Sequence, residues 1–262
     1  MNTAIAEANT KNHSVLSADR WVDARKALLA REKELIRLHD QVARERRALP
    51  WERVDKNYVF DTAGGRRTLA DLFEGRGQLL VQHFMFGPGW EQGCPSCSFM
   101  ADHTDGMNVH LAQRDITFVA ISRAPLAEIV RFRSRMDWQF NWVSSHGSDF
   151  NHDFCVSFTP EEHAKGEVYY NYGMTAFPAQ EAPGVSVFYK NDAGEIFHTY
   201  STFGRGVEVM MGAYYMMDLV PKGRDERDVP HKMEWVRHHD RYEAVSAQNG
   251  APAAGSCCAS HT

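Results

Sequence analysis

A nearly continuous apolar run, Gln78-Leu79-Leu80-Val81-Gln82-His83-Phe84-Met85-Phe86, breaks at Gly87-Pro88-Gly89 and leads to Cys94-Pro95-Ser96-Cys97. Apolar character on both alternations marks a central strand covered on both faces, so the two thiols follow directly from the middle of a sheet. Two cysteines two residues apart either do redox chemistry or grip a metal. Their surroundings decide between these.

The chain beyond them alternates. From Cys97 a helical pattern runs to about Leu111, weakened at Gly106, and Ile116 to Ser122 is a second β-branched run. Pro125 then opens a helix over residues 126–136 with Leu126, Ile129, Val130 and Arg133 on one side. Strand, helix, strand, helix predicts a parallel α/β core. After Pro183-Gly184, the runs 185–189 and 195–200 flank Asn191-Asp192-Ala193-Gly194 and predict an antiparallel hairpin. Between Trp138 and Thr159 the pattern reads as loop, carrying His146, Asp149, His152 and Asp153.

Ahead of this core, Trp21, Leu28, Leu35 and Val42 recur every seventh residue, each followed by Val22, Leu29, Ile36 or Ala43. That predicts one long amphipathic helix, capped at Ser17 or Asp19 and stopped by Pro50. Its stripe either packs along its own domain or also meets a second copy in a homodimer. The expected organisation is a polar tail over residues 1–16, this helix over 17–50, the α/β domain over 51–221, and an extension with a flexible tail over 222–262.

Charge narrows the function. A net charge of −5 among 262 residues argues against a nucleic-acid partner, which needs a positive surplus, and no apolar run is long enough for a membrane span. The start lacks a basic and an apolar leader region, and cysteines occur only at 94, 97, 155, 257 and 258. Both point to a reducing cytoplasm, where a Cys-x-x-Cys pair is redox-active or metal-binding rather than a structural staple.

At a helix start, unpaired N–H groups would stabilise a Cys94 thiolate and make it the nucleophile. Cys97, one turn in, would resolve the mixed disulfide. Pro95 stiffens the turn and Ser96 leaves room for a partner. The metal reading needs two further ligands, and His103 and His110 stand two helical turns apart, too far to share a metal held at the helix start. Cys155 reads as a packing cysteine, and the Cys257-Cys258 pair as a tail dithiol with or without a role.

The order of strand, dithiol, helix, strand, helix and proline-led hairpin resembles a thioredoxin fold. More closely, His83-Phe84-Met85-Phe86-Gly87-Pro88, Gly93-Cys94-Pro95-Ser96-Cys97-Ser98-Phe99, the run 119–125, the run 142–150 and His198-Thr199-Tyr200-Ser201-Thr202 resemble the bacterial DUF899 family of thioredoxin-like proteins. The resemblance covers about residues 21–242. It implies a three-layer α/β sandwich with a mixed sheet, a C-terminal antiparallel hairpin and the added N-terminal helix. It also implies a cis Pro183 shaping the groove before the dithiol, and offers His83 as a buried proton acceptor for Cys97, against the plainer reading of a satisfied core histidine.

Two departures from the superfamily pattern stand out. Gly93 occupies the place where thioredoxins carry tryptophan, and Glu91 the place where peroxiredoxins carry a hydroxyl three residues before the reactive cysteine. Trp90, Glu91, Pro95, Ser96 and Arg123 are the substrate-binding candidates, Arg123 for an anionic group. The expected function is a thiol-disulfide oxidoreductase that needs no bound organic cofactor, acts on a small-molecule or protein disulfide, and draws electrons from a cellular thiol reductant. The alternatives are a redox-sensing or metal-binding interaction protein using the same thiols and, behind it, a thiol peroxidase.

Overall fold

The computed structural model describes residues 13–243. The Cys257-Cys258 pair and most of the two tails lie outside the described residues. Two compact units divide the chain at Trp51 and Glu52.

The first unit is helix α1, Ala18–Arg47, ending at Ala48 just ahead of Pro50. Ser17 stands at its N-cap position but makes no side-chain capping bond. The stripe residues Trp21, Leu28, Leu35 and Ile36 are exposed, and an Arg25 to Glu32 ion pair at 2.8 Å spans two turns of the surface.

In the second unit the strands are β1 (Glu52–Arg53), β2 (Val59–Thr62), β3 (Gly65–Thr68), β4 (Gln78–His83), β5 (Ile116–Ser122), β6 (Asn141–Ser144), β7 (Val168–Tyr170), β8 (Gly173–Thr175), β9 (Gly184–Lys190) and β10 (Ile196–Phe203). The helices are α2 (Pro95–Thr104), α3 (Asn108–Ala112), α4 (Leu126–Arg135), α5 (Phe150–Asp153), α6 (Pro160–His163) and α7 (Gly212–Met217). One mixed sheet runs in the order β1-β10-β9-β4-β5-β6-β2-β3, and β7 and β8 form a separate small sheet. Strands β4, β5 and β6 are parallel, while β9 runs antiparallel to β4 and to β10. This is the thioredoxin-like arrangement, with β4 at the centre and the hairpin β9–β10 beside it.

Alternation along β4 assigns its two faces. Leu80 and, just past the strand, Phe84 look toward a cluster built from Phe86, Cys97, Met100, Phe132, Trp142 and Tyr214, with helices α2, α4 and α7 laid over it. Leu79 and Val81 look the other way, toward Phe60, Phe73, Val119, Phe150 and Phe188. That second face is covered by short pieces, the 3-10 turn Asp71–Phe73 and the one-turn helix α5. Each large side chain fully withdrawn from water contributes about 1.5–3 kcal/mol, so the two faces together carry most of the driving force.

Several expectations change here. The segment read as loop between Trp138 and Thr159 contains β6, which pairs with β5 in the core. Its four residues are too short for alternation to show. Gly106 divides the helical pattern after Cys97: α2 stops at Thr104, a 3-10 turn Asp105–Met107 follows, and α3 resumes at Asn108. The residues after 221 also do more than wrap the surface, since Val236 is buried in the dithiol-side cluster and Met233 and Trp235 pack against it. Among the described residues no helix is long and apolar enough to cross a membrane.

Candidate active site at the Cys94-Cys97 dithiol

The backbone reaches the dithiol through close packing. Gly93 is buried, and a Cβ on it would lie 2.6 Å from Cε1 of Phe84 and 2.9 Å from Cε1 of Phe132. Any side chain there would have to displace one of the two rings. The Gly93 carbonyl accepts a hydrogen bond from Nε2 of the buried His238 at 2.8 Å, so the C-terminal segment clamps the loop. The next amide, Cys94 N–H, donates to the Met85 carbonyl at 3.0 Å.

Cys94 is the N-cap residue of α2, with Pro95 at the first helical position. Proline suits that place because the amide it lacks has no helical partner there. Ser98 ties the cap down, donating from its amide at 3.0 Å and its hydroxyl at 2.9 Å to the Cys94 carbonyl. From β4, Gln82 donates Nε2–H to the Cys97 carbonyl at 3.1 Å. The cysteines are free thiols, Cys94 half-buried and Cys97 buried.

The two thiols are driven apart in acidity. A hydrogen bond from the Cys97 thiol lowers the Cys94 pKa to about 7; burial opposes this, and the Cys97 and Ser96 amides and the Ser96 hydroxyl reinforce it. Cys97 moves well above the ordinary thiol value, because its proton is held by Cys94, it is buried, and the neighbouring thiolate repels a second charge. One cysteine is thus a thiolate near neutrality and the other a proton-bearing thiol.

Both face a cleft of about 340 Å³. Methionines 85, 100, 211 and 233 and Phe177 give it an apolar lining, and Arg205, Glu208, Glu226 and Lys232 are its charged members. The oxygen Oε1 of Glu226 gathers the Tyr214 hydroxyl and the Trp235 indole N–H, each at 2.7 Å, and the Met233 amide at 3.1 Å. This single carboxylate organises the C-terminal wall.

Of the residues singled out from the sequence, Cys94, Ser96, Cys97 and Pro183 meet at this cleft. Pro183 is there with a trans peptide bond, not the cis bond that the resemblance implies, since the described residues contain no cis peptide. The hydroxyl of Tyr170 holds its carbonyl at 2.7 Å. Pro95 is exposed at the helix start.

His83 stands elsewhere. It follows Val81 on the face of β4 opposite Cys97, with Nε2 2.7 Å from the Ser186 hydroxyl and its ring beside Phe150 and Phe154. Burial, with the neighbouring His198 adding to it, lowers its pKa to about 3. It is no proton acceptor for Cys97; the β4 side chain on that side is Gln82.

Trp90, Glu91 and Arg123 do not line the cleft. The Trp90 indole packs on Gly87, where a Cβ would come within 3.1 Å of both Trp90 Nε1 and Glu181 Cγ. Arg123 is paired with the buried Glu181 at 3.0 Å, and Ser157 donates to the other carboxylate oxygen at 2.5 Å. Of the two histidines weighed as metal ligands, His110 is exposed on α3, and His103 has both ring nitrogens engaged: Nε2 accepts the Ala213 amide at 3.0 Å, and Nδ1 lies 2.5 Å from the Phe99 carbonyl. Among the described residues no three His, Cys, Asp or Glu gather as metal ligands.

Gln82, Glu226 and His238 were not singled out from the sequence. The β4 alternation could have found Gln82, because it shares a face with Leu80 and Phe84. Nothing local marks the other two, which act across long sequence separations.

A family profile described as bacterial protein of unknown function (DUF899) matches residues 10–242. No curated protein matches the sequence. Among solved structures, the chain is similar to the peroxidoxin BcpB from Mycobacterium tuberculosis, with 12% identity and a TM-score of 0.41 over 62% of this chain and 96% of that one. It is similar also to a cysteine-to-serine mutant of peroxiredoxin Q from Xanthomonas campestris, with 11% identity and a TM-score of 0.41 over 60% and 90% of the two chains.

Proposed function

The chain belongs to the DUF899 family, and for it we propose a thiol-disulfide oxidoreductase in which Cys94 attacks and Cys97 resolves. The observation that carries this reading is the split in acidity of two free thiols at a helix start, opening on one apolar cleft.

The Cys94 thiolate attacks one sulfur of a substrate disulfide. A Cys94–substrate disulfide forms, the substrate S–S bond breaks, and the departing thiolate takes a proton from solvent. The Cys97 thiol then loses its proton to the second leaving sulfur as it attacks Cys94 Sγ, closing the Cys94–Cys97 disulfide and releasing the other half as a thiol. Two electrons pass from protein to substrate, and a cellular thiol reductant restores the dithiol. The methionine lining favours an apolar substrate, since thioethers adapt to irregular hydrophobic shapes.

Trapping tests the reading. Cys97→Ser should accumulate a mixed disulfide with a small aromatic disulfide and stop there, while wild type turns over with a thiol reductant and Cys94→Ser does neither. Turnover that persists in Cys94→Ser, or a Cys97→Ser protein that traps nothing, sinks it.

A further inference from the structure

On the sheet face away from the dithiol lies a second cleft, of about 330 Å³, between β10, the segment 52–58 and the turns near 155 and 172. His198 and Ser201 both line it. In a regular strand, residues three apart point to opposite faces. A bulge in β10 prevents this: His198 pairs with Phe188 and Tyr200 with Val187, leaving Thr199 as the extra residue. The bulge brings both side chains to one face, with His198 Nε2 2.7 Å from Ser201 Oγ. On the far side of the ring, His198 Nδ1 lies 3.3 Å from a carboxylate oxygen of Glu52.

The direction of the hydrogen bonds follows from the carboxylate. It only accepts, so it holds the His198 proton on Nδ1 and leaves Nε2 as an acceptor. The Ser201 hydroxyl must then donate to Nε2. Behind it, Ser186 Oγ is 2.7 Å from Ser201 Oγ and also 2.7 Å from Nε2 of the buried, neutral His83. His83 donates to Ser186, Ser186 to Ser201, Ser201 to His198, and His198 to Glu52. The one end left over is His83 Nδ1, which is buried without a partner.

We propose that Ser201, His198 and Glu52 form a second catalytic centre that hydrolyses a small ester or thioester. The roles are those of a nucleophile, its base and the group that orients the base, a constellation defined by geometry rather than chain order. Three cleft residues hold left-handed backbones despite their side chains: Cys155 at φ 55°, Asn171 at φ 52° and Tyr172 at φ 64°. Strain of this kind concentrates around functional clefts. The aromatic walls Tyr58, Phe154, Tyr169 and Tyr172 suit an apolar acyl or aryl group, and the exposed Asn171 is one of the cleft's polar members.

In the reaction Ser201 Oγ bonds to the carbonyl carbon while its proton moves to His198 Nε2. The bond from that carbon to the leaving oxygen or sulfur breaks, and His198 returns the proton to the leaving group. Water then adds to the Ser201 ester, giving its proton to His198, which passes it back to Ser201 Oγ as the acid departs. Nothing is oxidised or reduced, and Glu52 acts as a positioning residue.

The full-length protein is treated with a fluorophosphonate probe and the labelled residue mapped by mass spectrometry, alongside turnover of p-nitrophenyl acetate and butyrate. Labelling at Ser201 that His198→Ala abolishes is expected, with ester turnover falling about 100-fold or more in Ser201→Ala. No label on Ser201, or wild-type turnover in Ser201→Ala, overturns the proposal. Glu52→Gln changes an exposed side chain and keeps the test open if Ser201→Ala fails to fold. It should lower kcat at unchanged KM with Glu52→Asp recovering part of the loss, whereas an unchanged kcat in Glu52→Gln also overturns the proposal.

Discussion

Gly93 shows how one residue sets the position of a reactive group. The rings of Phe84 and Phe132 leave no space for a side chain there, so the backbone can lie flat on the core and deliver Cys94 to the helix start. Gly93→Ala should lower stability by about 1–3 kcal/mol, as overpacking does, and raise the Cys94 pKa as the cap shifts. Urea unfolding and thiol titration of the same protein measure both. His83 makes a second prediction through its proton. Its folded pKa, near 3, lies below the ordinary 6.5, so the unfolded chain binds a proton between those values and the folded chain does not. Stability therefore falls as pH drops from 6.5 toward 3, by up to about 1.4 kcal/mol per pH unit, and is unaffected by this group above that window. In His83→Gln that component of the slope should vanish from urea midpoints measured across the same range.

Among elements, the turn after β5 and the strand-like segment before β9 are joined by Arg123, Glu181 and Ser157. Burial of Glu181 raises its pKa, and Ser157 and Arg123 pull it back. Arg123→Ala leaves a carboxylate inside the protein with a hydroxyl as its remaining side-chain donor, and should cost roughly 2–4 kcal/mol in denaturant unfolding. Arg123→Ala with Glu181→Gln should recover much of that loss; an Arg123→Ala midpoint equal to wild type would refute the pairing. The same elements show where sequence reading succeeds. Strands β4 and β5 and the hairpin β9–β10 were legible because their apolar runs are long and their turns carry Pro, Asn, Asp or Gly. Strand β6 was not, having four residues of which one is polar yet buried, Ser144. The pair β7–β8 leaves no mark either, because its strands are three residues long, too short for their alternating burial to register as a pattern.

At the scale of the whole molecule, the dithiol belongs to the core strand, to α2 and to the C-terminal segment together. The sequence marks Cys94 and Cys97 because Cys-x-x-Cys after a buried strand is a local pattern. It is silent about His238 on Gly93 and about Glu226 gathering Tyr214, Met233 and Trp235, because such long-range bonds leave no periodicity. Pro183 is legible as a place in the groove but not in its bond geometry, and of the two readings of His83 the plainer one, a core histidine, matches its burial and its bond to Ser186. The central claim is that this assembly makes Cys94 a thiolate near neutral pH while Cys97 keeps its proton. Alkylation by iodoacetamide, followed residue by residue in the reduced protein, reads this directly. The account predicts a Cys94 rate that rises through a midpoint at about pH 7, with Cys97 unreactive across that range. A Cys94 midpoint near the reference thiol value of roughly 8.5, or equal reactivity of the two thiols, would contradict it.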